Sequence, residues 1–144
     1  EQLELARKYK KSVVIHSRDA IQETYDILKN YSDLKIDIHC FSGSLEMARE
    51  FIKLGFKLGI GGVLTFKNSE KLKNVVKNVP LENLMLETDS PYLTPEPFRG
   101  KRNEPYNIYY VAKEIARLKE ITIEEVLKET TNVAVKQFDL KDIL

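Results

Sequence analysis

The stretch Leu84–Pro105, LMLETDSPYLTPEPFRGKRNEP, decides how the rest of the chain is read. Leu84-Met85-Leu86 is an apolar run of the kind that forms a buried strand. It ends in two carboxylates, Glu87 and Asp89, two residues apart. Strand side chains alternate with period two, so a strand over 84–89 puts both acids on one face. Pro91, Pro95 and Pro97 then bar helix and ladder, which predicts a long ordered loop. Arg99, Lys101 and Arg102 make that loop basic, and Glu104-Pro105 restarts a helix with proline in its first turn. Carboxylates at the end of a buried strand beneath a basic loop describe the mouth of an α/β active site.

Upstream, Val13-Val14-Ile15-His16 is β-branched and predicts a strand. A second strand is expected over 35–40, where Ile36, Ile38 and Cys40 alternate with Asp37 and His39, and a third over 57–61. The glycines of the third strand, Gly59, Gly61 and Gly62, imply close approach of something to its backbone. Helices fill the gaps. One has the core face Ile21, Thr24, Tyr25 and Leu28, with Asp19 as its expected cap and Gln22 as the capping-box partner. Another starts at Ser44, presents Leu45, Ala48, Phe51 and Ile52, and stops at Gly55. Leu72, Val75, Val76 and Val79 make a third stripe. After the loop, Ile108 to Ile115 form a helix, Thr122 and Glu125 cap the next, and Val133 to Phe138 form a last one.

This βα alternation predicts a parallel sheet with right-handed crossovers. His16 and His39, the only two histidines, lie one βα unit apart. Like Asp89, each ends a strand, at the edge that carries the chemistry in βα folds. Imidazole nitrogen and carboxylate oxygen together suit Zn²⁺, Mn²⁺ or Mg²⁺.

Composition narrows the setting. The 144 residues fit a single domain, 1–144. A net charge of +1 shows no global bias toward nucleic acid, so phosphate binding must come from a local patch. A single cysteine, Cys40, excludes an internal disulfide and fits a reducing, cytoplasmic setting. In its apolar strand that thiol is expected to be inert. No apolar run is long enough to span a membrane.

Glu87-Thr88-Asp89-Ser90-Pro91-Tyr92-Leu93, followed by Arg99-Gly100-Lys101-Arg102-Asn103-Glu104-Pro105, resembles the signature of the TatD family of metal-dependent hydrolases, best known as deoxyribonucleases. Val14-Ile15-His16-Ser17-Arg18-Asp19-Ala20 and His39-Cys40-Phe41-Ser42-Gly43 resemble two further blocks of that family. Ser12 departs from the proline that usually precedes the first of these strands. The resemblance implies a TIM-like (β/α) barrel, and such barrels run to about 250 residues. Neither the family's opening His-x-His strand nor its metal-bridging glutamate is found here. The chain is therefore expected to be the C-terminal part of such a barrel, with the N-terminal strands missing. Its edge at Val13–His16 would then lie open to association.

The resemblance also implies a function: hydrolysis of a DNA phosphodiester by metal-activated water, on single strands or 3′ ends. It makes His16, His39 and Asp89 ligands of a divalent metal site, two ions when complete, and Asp89 also the acceptor of the water proton. Glu87 would support the ligands from just below or pair with a neighbouring strand. Arg18 would contact substrate or close its βα loop. Arg99, Lys101 and Arg102 would grip the DNA backbone or remain solvated. Tyr92, Phe98 and Tyr106 are expected chiefly to pack the loop down. Three donors hold one ion but not two, so the bare chain is expected to lack nuclease activity. The competing expectations are a related hydrolase acting on an amide or ester, and a non-enzymatic barrel fragment.

Overall fold

A computed structural model describes residues 1–140. Residues 141–144, part of the expected single-domain span, lie outside it. Four parallel strands, β1 (Val13–His16), β2 (Ile36–His39), β3 (Lys57–Ile60) and β4 (Leu84–Leu86), form one sheet in the order β1-β2-β3-β4. Helix α1 (Gln2–Tyr9) precedes β1. Helices α2 (Ile21–Leu28), α3 (Leu45–Lys53) and α4 (Glu70–Asn78) make the three crossovers, and α5 (Ile108–Lys119) and α6 (Ile123–Phe138) follow β4.

The register assigns a job to each face of the sheet. Val13 pairs with Ile36, Ile15 with Ile38, Ile38 with Leu58, and Leu58 with Leu84. These side chains share the face covered by the helices, where Phe51, Val75, Val76 and Ile115 are fully buried against them. Alternation sends Val14, His16, Asp37, His39, Gly59, Met85 and Glu87 to the opposite face. Every strand residue with site chemistry is on that second face.

Local signals explain most boundaries. The Ser44 hydroxyl accepts from the Met47 N–H and starts α3, and Gly55 takes φ 85° just beyond its end. Thr122 and Glu125 form a reciprocal capping box on α6. Strand β1 begins as expected after Ser12, whose hydroxyl donates to the Gln137 carbonyl at the end of α6.

Five expectations change, the first being β3, expected over 57–61, which ends at Ile60. β2 stops at His39 because Cys40 takes φ 47°. β4 stops at Leu86; the Glu87 N–H still bonds the Ile60 carbonyl, but Asp89 takes φ 57° and turns the chain out of the sheet. Asp19 does not cap α2: it sits at φ 55°, and Ala20 precedes the helix with no side-chain cap. Val133–Phe138 is not a separate helix but the last third of α6, which runs unbroken because no glycine or proline interrupts it.

The loop after β4 is anchored at both ends. Buried Asn103 donates from Nδ2 to the carbonyls of Thr88 and Tyr92, each at 2.7 Å. Its Oδ1 accepts from the Glu104 N–H and from Asn107 Nδ2. The middle of the loop docks on residues 62–66. The Thr65 hydroxyl accepts from the Glu96 N–H, and the Arg99 guanidinium lies 3.8 Å from the centre of the Phe66 ring. A Cβ on Gly62 would stand 2.0 Å from the Leu93 carbonyl oxygen, so this seat requires glycine. Pro105 starts a short 3-10 turn, Pro105–Asn107, that runs directly into α5.

Candidate metal centre

His16 and His39 are register partners on neighbouring strands, so both imidazoles leave the same face at the same level. Their ring centres are 5.4 Å apart. His16 is exposed and His39 is partly buried. Both ring nitrogens of His39 meet carboxylates: Nδ1 lies 2.7 Å from Glu87 Oε2, and Nε2 lies 3.3 Å from Asp89 Oδ1. The two acids of the Glu87-Thr88-Asp89 segment thus converge on one imidazole. A continuing strand does not bring this about. Glu87 leaves from the sheet, and Asp89 folds back through its left-handed backbone, a conformation aspartate tolerates better than most residues.

Burial governs the acids. Desolvation raises the Glu87 pKa, opposed by the charge of His39 and a backbone hydrogen bond from Cys40. Deeper on the same face, Asp37 is pushed up to about 7 by burial and by the nearby Glu87. Asp37 Oδ1 and Glu87 Oε1 are both buried without a hydrogen-bond partner. Burial, together with the charges of Glu87 and Asp89, pushes the Cys40 thiol up to about 11, which makes it a poor nucleophile and agrees with the inert reading.

A cavity of about 440 Å³ opens over this edge. His16, His39 and Asp89 line it, along with Ser17, Arg18, Asp19, Ser42 and Tyr92. Arg18 therefore reaches the site. Arg99 and Arg102 do not line the cavity, and Arg99 is engaged with Phe66 and with the Thr94 carbonyl. The expected packing role holds for Phe98, which meets Tyr110 edge to face. Tyr92 and Tyr106 depart from it: they are 72% and 66% exposed, and Tyr92 stands at the cavity rim. Sequence reading missed Asp19 as a cavity residue because it was assigned to a helix cap. It gave Asn103 no role because nothing local marks a residue that bonds across a loop.

Among the described residues, no group of three or more His, Cys, Asp or Glu side chains is disposed to hold an ion as the side chains stand. Two of them come close. Donors each about 2.1 Å from one cation lie about 3.0–3.4 Å apart, depending on coordination number. The 3.3 Å between His39 Nε2 and Asp89 Oδ1 falls in that range. His16 stands one strand away on the same rim. The spacing of His39 Nε2 and Asp89 Oδ1 suits two donors to one divalent ion, and His16 lies on the neighbouring strand of the same rim.

The chain matches the TatD related DNase family over residues 1–139. It belongs to that family. The metal-dependent hydrolase YabD of Bacillus subtilis, described as uncharacterized, is 48% identical over 139 residues, which cover 95% of this chain and 54% of the relative. The uncharacterized metal-dependent hydrolase YcfH of Escherichia coli is 38% identical over 140 residues, 96% of this chain and 53% of the relative. The crystal structure of YJJV, a TatD homologue from Escherichia coli, superposes with a TM-score of 0.89 at 32% identity, over 96% of this chain and 54% of that one. The chain thus spans about half the length of the TatD relatives it matches. That agrees with four parallel strands of a larger barrel. Among the described residues, no helix is long and apolar enough to cross a membrane.

Proposed function

We propose that the protein is a metal-dependent hydrolase that cleaves DNA phosphodiester bonds, acting on single strands or 3′ ends. The observation that carries this reading is the convergence on His39. One carboxylate holds Nδ1, while Nε2 faces a second carboxylate across a gap of ligand width, at the mouth of a cavity. TatD family membership supports it.

His39 Nε2 and Asp89 Oδ1 would hold a divalent cation, Mg²⁺, Mn²⁺ or Zn²⁺, with His16 completing its ligands. A second cation would need donors from outside this stretch. Such an ion lowers the pKa of a bound water and neutralises charge on phosphate oxygens. Glu87 Oε2, 2.7 Å from His39 Nδ1, would accept that nitrogen's proton and fix the tautomer that leaves Nε2 to ligate. Asp89, at the cavity edge, is placed to accept the proton of the attacking water. Arg18 supplies positive charge for a phosphate at the rim, and exposed Tyr92 offers a ring on which a terminal base can stack. Arg102, exposed on the basic loop, would extend the phosphate contact beyond the cavity, with Arg99 holding that loop in place. A free Cys40 thiol suits a reducing cytoplasm.

The test is hydrolysis by the full-length protein. Single-stranded DNA with a free 3′ end, simple amides and simple esters are each offered with Mg²⁺, Mn²⁺ or Zn²⁺ and with chelator. Metal-dependent cleavage of DNA, lost in Asp89→Asn, is expected. Cleavage of amides or esters alone would replace the substrate assignment.

A further inference from the structure

His39 is on β2 and Glu87 directly follows β4, so β3 runs between them. Strands two apart in a sheet are separated by about 9.5 Å. Side chains that far apart do not normally meet, because the intervening strand places its own residue between them. Here they meet at 2.7 Å. The residue of β3 on the same face, between them, is Gly59. It pairs with Met85 of β4, and its carbonyl accepts from the Phe41 N–H on the β2 side. A Cβ built on Gly59 would stand 2.3 Å from Glu87 Oε2 and 3.1 Å from its Cδ. One on Gly61 would lie 3.3 Å from Glu87 Cγ. The Glu87 carboxylate therefore lies in the space that a side chain at 59 would fill.

We infer that Gly59 is a positioning residue: its missing side chain is the passage through which Glu87 crosses β3 to hold His39 Nδ1. Backbone conformation does not explain the glycine, since its φ lies outside the left-handed region. What position 59 requires is empty space. An added methyl displaces Oε2, the Glu87 oxygen that lies 2.7 Å from His39 Nδ1, and releases the imidazole. The consequence for metal binding rests on His39 being a ligand, as proposed above. The contact itself does not.

The experiment uses ¹⁵N-histidine NMR of the full-length, metal-free protein, with the His39 signals assigned from a His39→Gln variant. In the parent, His39 is expected to show a protected, low-field Hδ1 proton. Gly59→Ala should remove that signal, as Glu87→Ala does, and the double variant should show nothing further. Manganese affinity should fall about 10–100-fold in either single variant and no further in the double one. If Gly59→Ala alone fails to fold, adding Glu87→Ala should restore folding, because the closest atom the methyl then meets is the Cys40 backbone nitrogen, at 3.3 Å. A Gly59→Ala protein that keeps the His39 Hδ1 signal would overturn the inference, as would a folding defect that Glu87→Ala leaves uncorrected. A parent protein that binds no manganese but passes the NMR test would sink the metal reading and leave this one standing.

Discussion

Glu87 Oε2 and His39 Nδ1 lie 2.7 Å apart across an intervening strand, with Asp89 Oδ1 3.3 Å from the other nitrogen of the same ring. One imidazole thus ties the end of β2 to the segment after β4. The ring is fixed from below and presented above, the arrangement that metal-holding histidines use to set tautomer and direction.

Glu87→Gln should test the charge in that contact. The amide keeps the shape but is a weaker acceptor and can present a donor. Affinity for manganese should fall about 10–100-fold in the full-length protein. Titration calorimetry reads this directly. Unchanged affinity would show that Glu87 supports the sheet and not the ligand.

Asn103 should matter more to the loop than any arginine on it. Asn103→Ala removes donors from the part-buried carbonyls of Thr88 and Tyr92 and partners from Glu104 and Asn107. Each buried group left unpaired costs about 1–3 kcal/mol. A loss of about 2–4 kcal/mol is expected by urea unfolding, with faster amide exchange at Tyr92. A change below about 1 kcal/mol would mean that water replaces these bonds freely.

The arginines should separate by role. Arg18→Ala should lower the salt slope of DNA binding by about one, and Arg102→Ala by up to the same amount. Arg99→Ala should chiefly loosen the loop, because its guanidinium is stacked on Phe66. Binding measured from low to high salt distinguishes these outcomes. An Arg99→Ala slope that falls as far as that of Arg18→Ala would make Arg99 a phosphate contact.

The α6 capping box gives a pH signature. Backbone and side-chain hydrogen bonds from Thr122 hold the Glu125 carboxyl below its ordinary value. A depressed folded pKa stabilises above the unfolded pKa, and that stability is lost as pH falls through the folded pKa. Glu125→Gln should therefore be less stable than the parent near neutrality, with the gap closing in acid. Thr122→Ala should cost about 1 kcal/mol. A gap between the parent and Glu125→Gln that stays constant from neutrality into acid would contradict this.

The sheet could be read from the sequence because each strand carries a period-two or apolar pattern and each helix an apolar stripe with a cap. The convergence of His16 and His39 on one edge followed from their shared place at strand ends, whereas Asp89 reaches that edge by a left-handed turn after β4. Glu87 was placed beneath the ligands, but its grip on His39 was not foreseen, since it depends on the absence of a side chain at Gly59, on the strand between them. Asp19 was misplaced because a capping pattern, Asp then Gln three residues on, occurs where the backbone instead turns left-handed. The Asp89 turn and the Asn103 clamp escaped for the same reason: both are set by contacts between residues far apart in sequence, which periodicity does not report.

The central claim is that His39 and Asp89 hold one divalent cation. It is tested most directly by calorimetric titration of Mn²⁺ into the full-length protein and its Asp89→Asn variant, with matching melting temperatures confirming that both are folded. Asp89→Asn removes an anionic ligand and nearly preserves shape. Saturable binding in the parent, weakened at least about 100-fold in the variant, is the predicted result. Equal affinity in two equally folded proteins would contradict the account.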